Sequence, residues 1–416
     1  MNSGRWTMTA GKSWKILLVA GFSLSAFCSG ETHEHQPTLI AEISLGSTSQ
    51  FGINGTAASR SITHINFSSD TELAISMVGS VETPHVAQED HHARPMHLFV
   101  EWYTLRGSNL VSTRQDKFDA ASVHDSIATF PSGRSLVNAN RRLSVYSAEH
   151  QLVLSKSVEE VCGKEAVQPE GSSYDSYALA TSEEFGVTNL LWKYPTEKGF
   201  VDEHHVVHPT KTPEPQSFYC WFKADDLRPA GTLRVASFPL TSASDLGAYS
   251  GQPGFTKLIT PSGSQKISPP SSCEQPADMI EMRRPYLLRS GYGVVTVCTG
   301  KLVITRQEKH ESLNLSVFRA LPIILTDAWN APILVLVSGE VKVGRTFTGM
   351  EKYEIVNYKT GEIVSLPQLK TEVSDQVSSG QVSAVALSPT GKYLAVLHGS
   401  RLAVYATGLA DPNVGQ

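Results

Sequence analysis

The stretch "VALSPTGKYLAVLHGSRLAVYA", Val385–Ala406, constrains the fold more than any other part of the chain. Around it, Val382–Leu387 reads as an extended, half-buried segment. "SPTG" (Ser388–Gly391) is a turn, with Pro389 presetting one φ and Gly391 supplying a permissive one. Tyr393–Leu397 is a second strand, His398–Ser400 a second turn and Arg401–Ala406 a third strand. So few short strands cannot bury an apolar face of their own. The unit must therefore have copies to stack on.

The copies are present but degenerate. Ile127–Ser147 has the same order of strand, "PSG" turn, strand, polar turn and "RLSVYS". Ile62–Gly79 matches the first two strands, with the third expected at His97–Leu105 after a long insertion. Tyr286–Arg306 gives another set, and so does Ala331–Glu340 taken with Glu351–Leu366. Asp175–Pro195 and Ser217–Leu240 match less closely. Thr241–Asp278, rich in Ser, Pro and Gly, reads as loops with one or two outer strands. No long helical pattern interrupts this spacing. An all-β chain of this kind is a sandwich or a propeller, and the self-similarity favours the propeller. Its spacing, roughly 50–60 residues, exceeds the usual repeat of about 40–50, so long loops are expected.

The run Ser388–Ala406 resembles the final repeat of WD40-like and YVTN-type β-propellers. Ser388, Pro389, Gly391, Lys392, Leu394 and Ala395 carry the likeness. Thr390 replaces the usual Asp, and the terminal Trp-Asp pair of true WD40 repeats is missing. The resemblance implies an all-β propeller of four-stranded blades, and counting the sets gives six to seven of them, seven being preferred. It implies no particular activity, because such folds host many. The isolated strand Thr38–Gly46 is expected to pair with the last blade as its outer strand, which would close the ring and cover two free edges.

The N-terminus reads as a processing signal. Arg5, Lys12 and Lys15 precede an apolar run, Ile16–Phe27, that is short for a membrane span. The expected organisation is a signal peptide over 1–30, one propeller domain over 31–409 and a tail over 410–416. Export to a periplasm or the cell exterior follows, in a chain of bacterial aspect. Cys28 stands where a lipoprotein carries its lipid anchor, but Phe27 departs from that pattern and simple cleavage is preferred. Cys162, Cys220, Cys273 and Cys298 remain, and their pairing is left open between disulfides and buried thiols. No later apolar run reaches transmembrane length. A net charge of -5 argues against nucleic acid as partner.

Two histidine clusters have the ligand types that zinc uses: His91, His92 and His97 beside Glu89 and Asp90, and His204, His205 and His208 beside Asp202 and Glu203. Their spacing does not match the zincin motif, and in a strand His204 and His208 would sit roughly 13 Å apart. Polar loops and a solvated strand face are the preferred reading, so no cofactor is expected. A divalent metal remains the alternative. There is no nucleophile elbow and no Gly-rich phosphate loop. Glu159-Glu160 and Asp225-Asp226 lie in turn contexts. Trp102, Trp192 and Trp221 lie in apolar strands and read as inter-blade core. Taken together, the residues suggest an exported, non-catalytic module that binds another protein or envelope component through rim loops at Val81–Met96 and Thr196–Gln216. The competing reading is a propeller hydrolase or lactonase with a metal in the central channel.

Overall fold

The structure is a computed structural model. It describes residues 36–45, 61–80, 96–122, 124–167, 173–193, 200–201, 207–208, 216–236, 242–244, 247–252, 255–260, 263–266, 286–290, 293–298, 301–306, 309–314, 323–338, 341–342, 346–347, 352–366, 382–398 and 401–409. The proposed signal peptide, Cys28, His91, His92, His204 and His205 lie outside these residues. Within His35–Gln416, which forms one unit, the described strands build seven four-stranded antiparallel sheets.

In chain order, β1 (Thr38–Ser44) stands apart from its sheet in sequence. The first blade is β2 (Ser61–Phe67), β3 (Glu72–Ser80), β4 (Met96–Arg106) and β5 (Asn109–Ala120). The second is β6 (Ser126–Thr129), β7 (Ser135–Ala139), β8 (Arg142–Tyr146) and β9 (Leu152–Ser157). A short helix, α1 (Val158–Cys162), follows. The third blade is β10 (Ser173–Ala180), β11 (Phe185–Lys193), β14 (Gln216–Lys223) and β15 (Pro229–Ala236). A small hairpin of β12 (Phe200–Val201) and β13 (Val207–His208) is inserted into it. The fourth sheet is β16 (Ser242–Ser244), β17 (Gly247–Gln252), β18 (Phe255–Thr260) and β19 (Gly263–Lys266). The fifth is β20 (Tyr286–Leu287), β21 (Val294–Cys298), β22 (Lys301–Arg306) and β23 (Lys309–Asn314). The sixth is β24 (Ile323–Asp327), β25 (Ile333–Ser338), β28 (Lys352–Asn357) and β29 (Ile363–Ser365), with a second inserted hairpin of β26 (Val341–Lys342) and β27 (Thr346–Phe347). The last comprises β30 (Val382–Leu387), β31 (Tyr393–His398) and β32 (Arg401–Ala406). Along β32 runs β1, antiparallel, from Thr38 opposite Ala406 to Ser44 opposite Arg401.

The expectation of loops with one or two outer strands over Thr241–Asp278 is corrected here. That region contains the whole fourth sheet. Its strands are short, and the two edge strands, Ser242–Ser244 and Gly263–Lys266, carry almost no apolar residue, so they give little apolar signal.

Apolar side chains are buried mainly between blades. Ile65, Phe67, Leu73 and Tyr103 of the first blade pack with Ala395, Leu397, Leu402 and Val404 of the last and with Ala41 of β1. Val100 and Trp102 pack on Ile127 and Val137. Leu136 and Val145 join Trp192, Phe218 and Phe222. Ile333 and Val335 meet Leu394 and Val396. Leu302 and Ile304 meet Leu334 and Val356. The inner strands continue this series: β30 touches β2, β2 touches β6, β6 touches β10, β10 touches β16, β16 touches β20, and β24 touches β30. A strand between two neighbouring blades is buried on both faces. That is why Leu394–Leu397 is apolar without a break and fully buried.

Two disulfide connections reinforce this frame. Cys162 at the end of α1 is bonded to Cys220 in the middle of β14. Cys298 is also disulfide-bonded, to a partner outside the described residues. The Glu159-Glu160 pair is structural. Ser157 caps α1 by accepting from the Glu160 N–H, Glu160 accepts from the Ser157 N–H, and Glu159 pairs with Arg141.

Candidate functional site

Antiparallel strands put alternate connections on opposite faces of each blade. First-to-second and third-to-fourth connections therefore share one face. Second-to-third connections and the crossovers to the next blade share the other. On the first face the first-to-second turns are all short: 68–71, 130–134, 181–184, 245–246, 288–293, 328–332 and 388–392. The strand ends that meet the second face are separated by longer stretches of sequence, such as those between Ser80 and Met96 and between Lys193 and Gln216. The candidate rim loops, Val81–Met96 and Thr196–Gln216, lie almost wholly outside the described residues.

The short-turn face is tied from blade to blade. The Asn330 N–H donates to the Pro389 carbonyl at 2.8 Å. The Thr390 hydroxyl donates to Asp70 Oδ2 at 2.7 Å, and its N–H to Oδ1 at 3.2 Å. The Thr129 hydroxyl donates to the Phe67 carbonyl at 2.7 Å. Arg134 donates to the Glu183 carboxylate and carbonyl, each at 2.6 Å, and to Asp225 at 2.6 Å. Ser132 adds its N–H to Glu183 at 2.8 Å. Asp225 is thus an anchor for Arg134, while Asp226 holds Arg228 and accepts its N–H. This face is a rigid base.

The inner strands carry a second set of groups that sequence reading missed. His64 lies on β2, His124 immediately precedes β6, and Arg289 follows β20. These belong to the first, second and fifth blades. His64 keeps exposed surface on β2, although protein crowds around its side chain. Burial, followed by the Arg289 and His124 charges, pushes His64 down to about 4. The His124 ring lies against Tyr177 of β10, with centroids 4.5 Å apart. Arg289 is held by Asp327 at the end of β24. Its N–H donates to Asp327 Oδ2 at 2.7 Å, and its Nε stands 3.7 Å from Oδ1. The Tyr286 hydroxyl donates to the same Oδ1 at 2.9 Å. Burial drives the Asp327 carboxyl up to about 6, although Arg289 and Tyr286 favour its charged form.

Trp329, in the first-to-second turn of the sixth blade, lies under the Arg289 guanidinium at 5.4 Å from the ring centroid. It belongs to the same buried cluster as Phe130, in the corresponding turn of the second blade, and Phe222 of the third. A side chain from one side of the ring thus reaches residues of the other at the short-turn face.

The histidines selected from sequence fare differently. His97 lies on β4, its Nδ1 3.3 Å from Asp119 Oδ1 on the neighbouring strand β5. His208 lies on β13, cross-strand from Phe200. Among the described residues no three or more His, Cys, Asp or Glu side chains form a group that could hold a metal ion. Trp102, Trp192 and Trp221 are buried, as the core reading expects. Asn66, in the glycosylation pattern "NFS", donates its amide to the Ile127 carbonyl between two blades at 2.8 Å.

The fold defines the class: an all-β propeller of four-stranded antiparallel blades. No family model and no curated protein matches the chain. Among solved structures it is similar to an oligogalacturonate lyase from Vibrio parahaemolyticus, with 10% identity over 85% of this chain and 98% of that one and a TM-score of 0.45. It is also similar to the C-terminal WD40 domain of Sif2, with 9% identity over 89% and 98% of the two chains and a TM-score of 0.41. A chain of the mitotic checkpoint complex matches with 12% identity over 80% and 97%, at a TM-score of 0.37.

Proposed function

We propose that this protein is an exported, non-catalytic propeller that serves as a binding or scaffold module for another protein. The observation that carries the reading is the inequality of its two faces. One is short-turned and tied from blade to blade; the strand ends at the other are separated by long stretches of sequence, from Ser80 to Met96 and from Lys193 to Gln216. Loops on a rigid frame are where proteins place recognition. Export is supported by the disulfide Cys162–Cys220, because such bonds persist in oxidising compartments. The apolar N-terminal run fits a signal peptide, and Cys28 offers a lipid anchor as a variant of the same reading. The ring is a seven-bladed one closed by the N-terminal strand, a reading supported by the sheet count and the β1–β32 register.

A photo-crosslinking residue at Val167, exposed on the long-connection face, is expected to give a specific adduct in the producing cell. The same residue at Glu184, in a turn of the opposite face, is expected to give none. Adducts from Glu184 alone would overturn the assignment of faces. Stoichiometric metal in the purified protein, with a fall in Tm on adding chelator, would instead support the hydrolase reading.

A further inference from the structure

We propose that the seam between the first and second blades is a binding site for one ordered water molecule, which bridges Ser135 to His150 and completes a hydrogen-bonded chain from one blade to the other. The inference does not rest on the binding role proposed above.

The strands make the site. Ser135 opens β7 and pairs with Tyr146, the last residue of β8. The turn that follows β8 carries His150, so the serine hydroxyl and the imidazole come to the same end of the second blade. Both line one cavity between the blades, with Trp102, Asp116 and Phe118 on its first-blade side. The first blade grips His150 at three points. Its Nε2 stands 3.0 Å from Glu72 Oε1, its ring lies against Trp102 with centroids 4.1 Å apart, and its carbonyl accepts from Arg114 Nη1 at 2.9 Å. These contacts hold its backbone at a φ of +61°, a conformation uncommon outside glycine. Two buried polar atoms of the cavity wall have no partner among the described residues: His150 Nδ1 and Ser135 Oγ, the latter on a residue only 1% exposed. Atoms left so cost free energy, and a water with a bond to each recovers it. The other polar groups are committed. Asp116 accepts from the Trp102 indole N–H at 3.1 Å and from Arg114 Nε at 2.8 and 2.9 Å. Glu72 Oε2 accepts from the Ser68 hydroxyl at 2.6 Å. The cavity's volume of ≈ 10 Å³ is room for about one water. The Glu72 carboxylate accepts from Nε2–H, which leaves Nδ1 of the neutral ring an acceptor. The water therefore donates to Nδ1 and accepts from the Ser135 hydroxyl. The chain runs Ser135, water, His150, Glu72, Ser68.

A crystal structure of the full chain at atomic resolution reads the site directly. A single spherical density peak should lie about 2.7–3.2 Å from both Ser135 Oγ and His150 Nδ1. A double-mutant cycle reads it in solution, with urea unfolding of Ser135→Ala, His150→Phe and the double variant. Phenylalanine keeps a ring against Trp102 and removes both nitrogens. Each single change strands the water and the other partner, whereas the double change removes both partners. The unfolding constant of the double variant should therefore be about tenfold smaller than the product of the two single effects implies. Two side chains that do not bond each other couple in this way through a shared bridge. The inference is overturned if no peak lies between the two atoms, or if the density there fits a solute larger than one water. It is equally overturned if the two substitutions are additive.

Discussion

Replacing Ala41 by Asp should cost about 3–5 kcal/mol of stability, the range for an uncompensated charge in a protein interior. Ala41 lies on β1 opposite Val404, only 3% exposed, in the apolar cluster that joins the last blade to the first. An aspartate there lies opposite Val404 and enters a cluster made of apolar side chains. The neighbouring substitution Glu42→Ala points the other way across the pleat. Glu42 is partly exposed and reaches Arg401 at 3.4 Å, so its loss should stay within about 0.5 kcal/mol. Urea unfolding of the two variants beside the parent checks both. Equal midpoints for all three would mean that β1 is not a buried member of the last blade.

Replacing both Cys162 and Cys220 by Ser should cost about 2–5 kcal/mol. The bond closes a loop between residues 58 apart, for which chain entropy alone gives about 4 kcal/mol. It pins α1, in the crossover after the second blade, to the third strand of the third. Cys220 is fully buried and Cys162 nearly so, so the two serine hydroxyls would also enter an apolar cluster. The measurement is the urea midpoint under non-oxidising, non-reducing conditions. An unchanged midpoint would show that the bond adds nothing to the native frame.

The hairpin repeat was legible because its residues record contacts between blades. Gly391 adopts a φ of +71°, and a Cβ there would stand 2.7 Å from Ile333 Cδ1 of the preceding blade. Gly133, in the "PSG" copy, has a φ of +88° and would place a Cβ 2.9 Å from the Ser68 carbonyl, again on the preceding blade. Both copies keep glycine for the same pair of reasons. Thr390, which departs from the usual Asp, is the residue that reaches forward to Asp70. The fourth sheet was not legible, since Ser242–Ser244 and Gly263–Lys266 carry almost no apolar side chains. Nor were the axial groups. His64 and Arg289 are far apart in sequence, and each sits in an ordinary strand or turn. The aromatic strands gave the core correctly because Trp102, Trp192 and Phe218 are buried whichever blades flank them.

Native-state hydrogen exchange along β1 tests the closed ring most directly. Strands of one cooperative unit open together, whereas a frayed terminus exchanges at little free-energy cost. The amides of β1 that face β32 should open with the same free energy as those of β31 and β32, and Ala41→Asp should lower all three strands together. Fast exchange throughout Thr38–Ser44, with β31 and β32 still protected, would contradict the closed ring.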